Sequence, residues 1–178
     1  ANDGLAVPLQ LQVLEASLEP RTASPTRVCL GCAVPVLDRA GEIGKLLALL
    51  QAYPSRRNAA YILIGCAPTE QHELGPLMLA VLLRSYGYRI EYLGPDIPID
   101  DLVDYSSSEH PTMVILSATT PPAALELKRL QEKLSKIRPK PLFGYGGRAF
   151  DLNSRLIEQI PGIYLGNTLQ SALGEIRE

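Results

Sequence analysis

The chain is short of the residues that would place it in several common classes. Basic charge is not in excess: 17 Lys and Arg stand against 19 Asp and Glu, for a formal net charge of −2 and an isoelectric point near 5.8. No basic surface therefore argues for direct nucleic-acid binding, and Arg56-Arg57, the one tight basic pair, reads as part of a solvated loop. No apolar run approaches the roughly 20 residues that a membrane span needs. No charged n-region followed by an apolar h-region opens the chain, so secretion is not expected. Three cysteines, an odd number, fit a reducing compartment better than a disulfide framework. These absences predict a cytoplasmic protein. Tryptophan is missing altogether, and there are only two histidines.

What is present is ordinary for a globular protein: 46% hydrophobic and 20% charged residues in a chain of 178. That length suits one domain with a short appendage. The start on Ala1 rather than methionine reads as a fragment of something longer. Residues 1–58 form a helical segment that is too small to bury a core alone, and it is expected to pack on the rest or on another chain. A short helix over 9–18 precedes a breaker-rich loop over 19–26. A second helix over 39–53 carries Ile43, Leu46, Leu47, Leu50 and Tyr53 at three- and four-residue spacing, and Pro54 stops it.

Over residues 59–178 the pattern becomes regular. Strands are expected at 61–66, 89–93, 113–117, 141–145 and 163–165. Helices are expected at 76–86, ending on Gly87, and at 99–105. Further helices follow Thr120-Pro121-Pro122, Asp151 and an Asn167/Gln170 capping box. Ser106-Ser107-Ser108 reads as a polar loop. Strands alternating with helices predict an α/β, Rossmann-like (flavodoxin-like), doubly wound five-stranded parallel sheet, with order 2-1-3-4-5 as the common arrangement.

In that order strands 1, 3 and 4 are neighbours, and their carboxyl ends carry the unusual residues. Strand 1 is followed by Glu70-Gln71-His72-Glu73-Leu74-Gly75, strand 3 ends on Ser117-Ala118-Thr119-Thr120, and strand 4 ends on Gly144-Tyr145-Gly146-Gly147. With adjacent strands about 4.8 Å apart, the three loops span roughly 10 Å, room for an extended group across the sheet edge. Gly146-Gly147 admits a plain turn as well as close backbone approach to a ligand. Ser117 admits a hydroxyl that satisfies nearby backbone as well as one aimed at a ligand. His72 is an ordinary loop histidine unless Glu70, two positions earlier, takes its second N–H, the usual support of a metal-bound imidazole. One histidine cannot hold a bare structural zinc, so a metal there would have to arrive inside a cofactor. Cys29-Leu30-Gly31-Cys32 lacks a fourth cysteine, and with Cys66 on a strand it argues little for zinc or redox chemistry. His110 and Asp100-Asp101 read as an exposed loop histidine and a helix start.

The three loops together resemble the cobalamin (vitamin B12)-binding domain. That family carries Asp/Glu-x-His-x-x-Gly, then Ser-x-Leu/Val/Thr, then a Gly-Gly pair. Here Glu70 to Gly75 is followed after 41 residues (76–116) by Ser117-Ala118-Thr119, and after 26 more (120–145) by Gly146-Gly147. The stretch Tyr92-Leu93-Gly94-Pro95-Asp96-Ile97-Pro98 also looks like family text. The resemblance implies cobalamin as cofactor and partner, with His72 as the lower cobalt ligand in place of the cofactor's own base and Glu70 holding the other imidazole nitrogen. It implies that Ser117 hydrogen-bonds the displaced tail and that Gly75, Gly146 and Gly147 make room for it, with Thr119 and Tyr145 as wall residues. Glutamate at position 70 is similar to the C-terminal sensory domain of MerR-type cobalamin-dependent transcriptional regulators, so the expectation is a sensor without chemistry of its own. A homo-oligomer stays open. Residues 44–53 look like the last helix of the bundle that precedes the domain in those regulators, here truncated. Light sensors of that group use a tryptophan over the adenosyl group, which this chain lacks. A corrinoid methyl-carrier, or a degenerate domain binding haem or nothing, remains the alternative.

Overall fold

The structure, a computed structural model, describes residues 39–177. The helix expected over 9–18, the loop over 19–26 and the Cys29/Cys32 pair lie outside the described residues.

A helix α1 (Arg39–Ala52) leads into β1 (Tyr61–Cys66), α2 (Leu74–Ser85), β2 (Arg89–Gly94), α3 (Ile99–Glu109) and β3 (Met113–Ser117). Then come α4 (Pro121–Leu134), β4 (Leu142–Gly146), two short helices α5 (Arg148–Leu152) and α6 (Arg155–Gln159), β5 (Ile163–Tyr164) and α7 (Leu169–Arg177). The five strands form one parallel sheet in the order β2-β1-β3-β4-β5, as the alternation of strands and helices anticipates. Every residue of β1 is buried, which is why it reads as a continuous apolar run: a central parallel strand is covered on both faces. Pairing of Cys66 with Ser117, and of Ser117 with Gly146, brings the carboxyl ends of β1, β3 and β4 level.

One face of the sheet, with Leu63, Val114, Leu116, Phe143 and Tyr145, packs on α3 to α6. The other, with Ile62, Ile64, Met113 and Ile115, packs on α2 and α7. Outside α2 lies α1, whose Leu46 is buried against Leu74, Leu77, Met78, Val81 and Leu82. The helical segment thus leans on the α/β part, and α2 is buried on two sides, as its nine buried residues show. No described helix is long and apolar enough to cross a membrane.

The structure corrects several local expectations. In α1, Leu47 is 38% exposed, and the apolar face runs instead through Ile43, Leu46, Leu49 and Leu50. Ser106-Ser107-Ser108 is helical: α3 continues to Glu109 and stops where His110 turns left-handed at φ 50°. Ser106 is buried, and the Ser108 hydroxyl donates back to the Tyr105 carbonyl (2.9 Å), so the serines join the helix rather than break it. Asp151 does not cap a helix; it lies inside α5, which Gly147 precedes. The last helix is capped one residue later than expected. There the Thr168 hydroxyl accepts from Ser171 N (3.0 Å) and the Ser171 hydroxyl accepts from Thr168 N (3.2 Å).

Candidate functional site

After β1 the chain doubles back at once. Ala67 N donates to the Ser117 carbonyl (2.9 Å), and Glu70 N donates to the Ala67 carbonyl (3.1 Å). This drives the Glu70 side chain into the protein, where it is 1% exposed. Its Oε1 accepts from His72 N (2.8 Å) and pairs with His72 Nδ1 (2.6 Å). Its Oε2 accepts from Thr119 N (2.5 Å) and from the Thr119 hydroxyl (2.5 Å). Burial alone would raise the carboxyl pKa. The hydrogen bonds from the Thr119 hydroxyl, His72 N, Thr119 N and the His72 ring outweigh it and hold the group below its ordinary value.

Four donors around an acceptor-only ion leave the imidazole one arrangement. With the carboxylate accepting at Nδ1, the proton sits there and Nε2 keeps its lone pair. The Thr119 hydroxyl lies 3.1 Å from the same Nδ1 and bolts the ring to β3. The His72 side chain is 38% exposed, so it is anchored at one nitrogen and open at the rest. Nearby, burial first, and then the charges of Glu70 and Glu73, push the Cys66 thiol up to about 12. That keeps it protonated and inert at neutral pH.

Beside the imidazole lies a cavity of about 500 Å³. Its walls include Gly75, Pro76 and Leu79 from α2, Ser117 at the end of β3 with Thr119 just beyond it, Gly146 at the end of β4 with Gly147 just beyond it, and Asn167, Thr168 and Leu169 at the start of α7. Of the residues singled out from sequence, His72, Gly75, Ser117, Thr119, Gly146 and Gly147 meet here, with Glu70 beneath His72. Gly75 is a bare spot: a Cβ added to it would meet no atom within 4 Å, so its missing side chain is part of the cavity. No other described residue hydrogen-bonds the Ser117 hydroxyl. Among the described residues, no cluster of three or more His, Cys, Asp or Glu is arranged to hold a metal ion. A metal at His72 Nε2 would need its other ligands supplied by the group that carries it. On these observations the residues fit a metal-bearing cofactor with a long appendage.

One expectation changes, for Tyr145, and Gly147 has a structural cause of its own. Tyr145 is not a wall residue: it is 1% exposed, and its hydroxyl donates to the carbonyls of Ile157 (3.1 Å) and Ile160 (3.0 Å). Its Cα partner is Leu116, not Ser117, so it faces the opposite core, where it packs on Phe150. Gly147, at φ 115°, is demanded by the protein itself. A Cβ there would collide with the Ala118 carbonyl oxygen and come within 2.9 Å of Ala118 C and N. Gly147→Ala is therefore expected to cost at least about 2 kcal/mol in urea unfolding, whether or not a ligand is present. The α7 side of the cavity, Gly166 to Leu169, was missed from sequence. A turn-rich Gly-Asn-Thr following the last strand was the signal for it. His110 is exposed, and Asp100 and Asp101 lie in the first turn of α3, as expected.

Comparison with known proteins agrees with this geometry. The family model of the B12 binding domain matches residues 61–168. The HTH-type transcriptional repressor CarH of Myxococcus xanthus is 31% identical over 117 residues, which are 65% of this chain and 39% of that protein. This chain thus spans about two fifths of the length of that curated relative. Two solved structures share the fold. A novel cobalamin-binding protein from Desulfitobacterium hafniense is similar with a TM-score of 0.59 at 18% identity, over 78% of this chain and 68% of that one. The Methanosarcina barkeri monomethylamine corrinoid protein is similar with a TM-score of 0.59 at 19% identity, over 76% and 62%. With its cavity at the carboxyl edge of the sheet and a family match over more than half of its length, the chain belongs to the B12-binding domain family.

Proposed function

We propose that this chain is the cobalamin-binding sensory domain of a transcriptional regulator, in which His72 is the lower axial ligand of cobalt and the cofactor's own base is displaced. The observation that carries the reading is the His72 ring, held at Nδ1 by the buried Glu70 carboxylate (2.6 Å) with Nε2 left as the donor atom. When bound, cobalamin supplies a cobalt ion with exchangeable axial positions; the chain's part is to hold and orient. Glu70 fixes the imidazole proton on Nδ1, Thr119 fixes the carboxylate, and the groove between α2 and α7 takes the displaced tail beside Ser117. The polar groups bonded to His72, those of Glu70 and Thr119, serve positioning, and the neighbouring thiol is inert, which supports binding rather than catalysis. The regulator reading draws on the 31% identity to a transcriptional repressor and on glutamate at position 70. The methyl-carrier alternative draws on likeness of fold alone.

Titration with hydroxocobalamin, followed by visible spectroscopy, tests the ligand. The wild-type protein is expected to shift the corrinoid spectrum at one equivalent. His72→Ala is expected to lose that shift and at least about 10-fold in affinity, since removal of an outer partner of a ligand already costs that much. An unchanged spectrum, or equal binding by the variant, overturns the reading.

A further inference from the structure

The loop that carries His72 is held by a residue from a different turn. Thr69 is left-handed, at φ 64°, and so is Asp96 in the turn between β2 and α3, at φ 50°. A β-branched residue at positive φ is strained and stays there only when its surroundings enforce it. The turn bond from Glu70 N to the Ala67 carbonyl (3.1 Å) spans Thr69, and the remaining contacts on this turn come from Asp96. Its Oδ1 accepts from Thr69 N at 2.7 Å, its own N–H donates to the Glu70 carbonyl at 2.9 Å, and its Oδ2 accepts from Gln71 Nε2 at 3.4 Å. Asp96 thus grips the backbone on both sides of Glu70, the residue whose carboxylate orients His72. Tyr92, on β2, ties down the next turn by donating to Glu73 Oε2 (3.0 Å).

We propose that Asp96 is a positioning residue for the cobalt-binding histidine: its clamp on Thr69 and Glu70 sets the loop so that His72 presents Nε2 to the cofactor. The inference rests on the reading of His72 as a ligand. Asp96 itself touches neither His72 nor the cavity wall, so its effect passes through the loop backbone.

The side chain and the backbone turn can be separated. Asp96→Gly relieves the positive φ and keeps the Glu70 carbonyl contact, but it removes the carboxylate. Asp96→Asn keeps an oxygen for Thr69 N and tolerates the left-handed conformation. Because Asp96 is exposed and glycine is at ease there, the fold survives both changes. His72 and His110 are the only histidines, so nitrogen NMR of the cofactor-free protein resolves the tautomer of each. Asp96→Gly is expected to replace the single Nδ1–H form of His72 by an average of both forms and to weaken hydroxocobalamin binding about 10-fold. Asp96→Asn is expected to leave the tautomer locked and affinity within about twofold of wild type, since the Thr69 contact survives. Wild-type tautomer and affinity in Asp96→Gly overturn the clamp, and so does an Asp96→Asn protein as impaired as Asp96→Gly. A wild-type protein with no His72-dependent spectral shift overturns the ligand reading instead, while the tautomer signals still report on the clamp.

Discussion

Gly75→Leu is expected to fold and to lose most of its affinity for cobalamin. A Cβ at Gly75 points into space with no atom within 4 Å, so the cofactor-free protein accepts a side chain there. Replacing a helical glycine by leucine gains about 0.5–1 kcal/mol. Crowding against Pro76, the next residue, offsets part of that gain, and the unfolding free energy should stay within about 1 kcal/mol of wild type. The same leucine fills the floor of the 500 Å³ cavity beside Pro76 and Leu79. A ligand must then give up the groove or displace α2, which is buried on two sides and resists. The expected loss is at least about 100-fold in hydroxocobalamin affinity, or about 2.7 kcal/mol. A thermal melt and a titration on one sample read both halves. Wild-type affinity in Gly75→Leu would put the cofactor's appendage outside this groove.

Glu70→Gln carries the second large effect, and here the conservative-looking change is the damaging one. Both carboxylate oxygens accept: one from His72 N and Nδ1, the other from Thr119 N and its hydroxyl. A glutamine amide has a single acceptor oxygen, so whichever way it turns, its NH2 faces donors. Hydrogen bonds to a charged group are worth about 1.5–3 kcal/mol each, and donors left buried and unpaired add to the loss. We expect Glu70→Gln to lower the urea-unfolding free energy by about 3 kcal/mol and to free the His72 ring. The pH dependence follows from the direction of the shift. The folded pKa of Glu70 lies below its unfolded value, which is about 4.3. Its contribution is therefore fully present above that value and is lost as pH falls through the folded pKa. The stability gap between wild type and Glu70→Gln should be constant at neutral pH and shrink below about pH 4. A gap that widens on acidification would contradict the bonding pattern.

Much of the site was legible because its parts are chemically unusual for their places. A histidine with a carboxylate two residues earlier, a serine closing an apolar strand and a glycine pair each break a local pattern at the same sheet edge. Thr119 was legible only as a wall residue. Its backbone N–H and hydroxyl both serve Glu70, 49 residues away, and nothing local marks that role. Tyr145 was misplaced by adjacency to the glycines, although alternation along β4 separates it from Gly146. Ser117 and Gly146 share one face, while Leu116 and Tyr145 share the other. The α7 wall was missed because the strand at 163–165 and the helix start at Asn167 were read only as structure, and the loop between them was not counted among those at the cavity's sheet edge. Ser106 to Ser108 were misread because serine's weak helix preference yields to burial of one serine and a left-handed stop at His110. Asp96 was recorded as part of a resembling stretch, but its partners Thr69 and Glu70 lie 26 or more residues away. Only the folded chain shows that one aspartate answers two of their backbone groups.

Helix α2 has its amino end at the cavity and, along its length, the outer helix α1 pressed against it through Leu46. Twelve residues at 1.5 Å each make a rod about 18 Å long, packed on both flanks and too stiff to bend. A displacement of α1 is therefore expected to carry α2 with it. The first turn of α2 holds Leu74, packed with Leu46 of the outer helix, beside Gly75 in the cavity wall, so such a movement is expected to reach the loop that holds the imidazole.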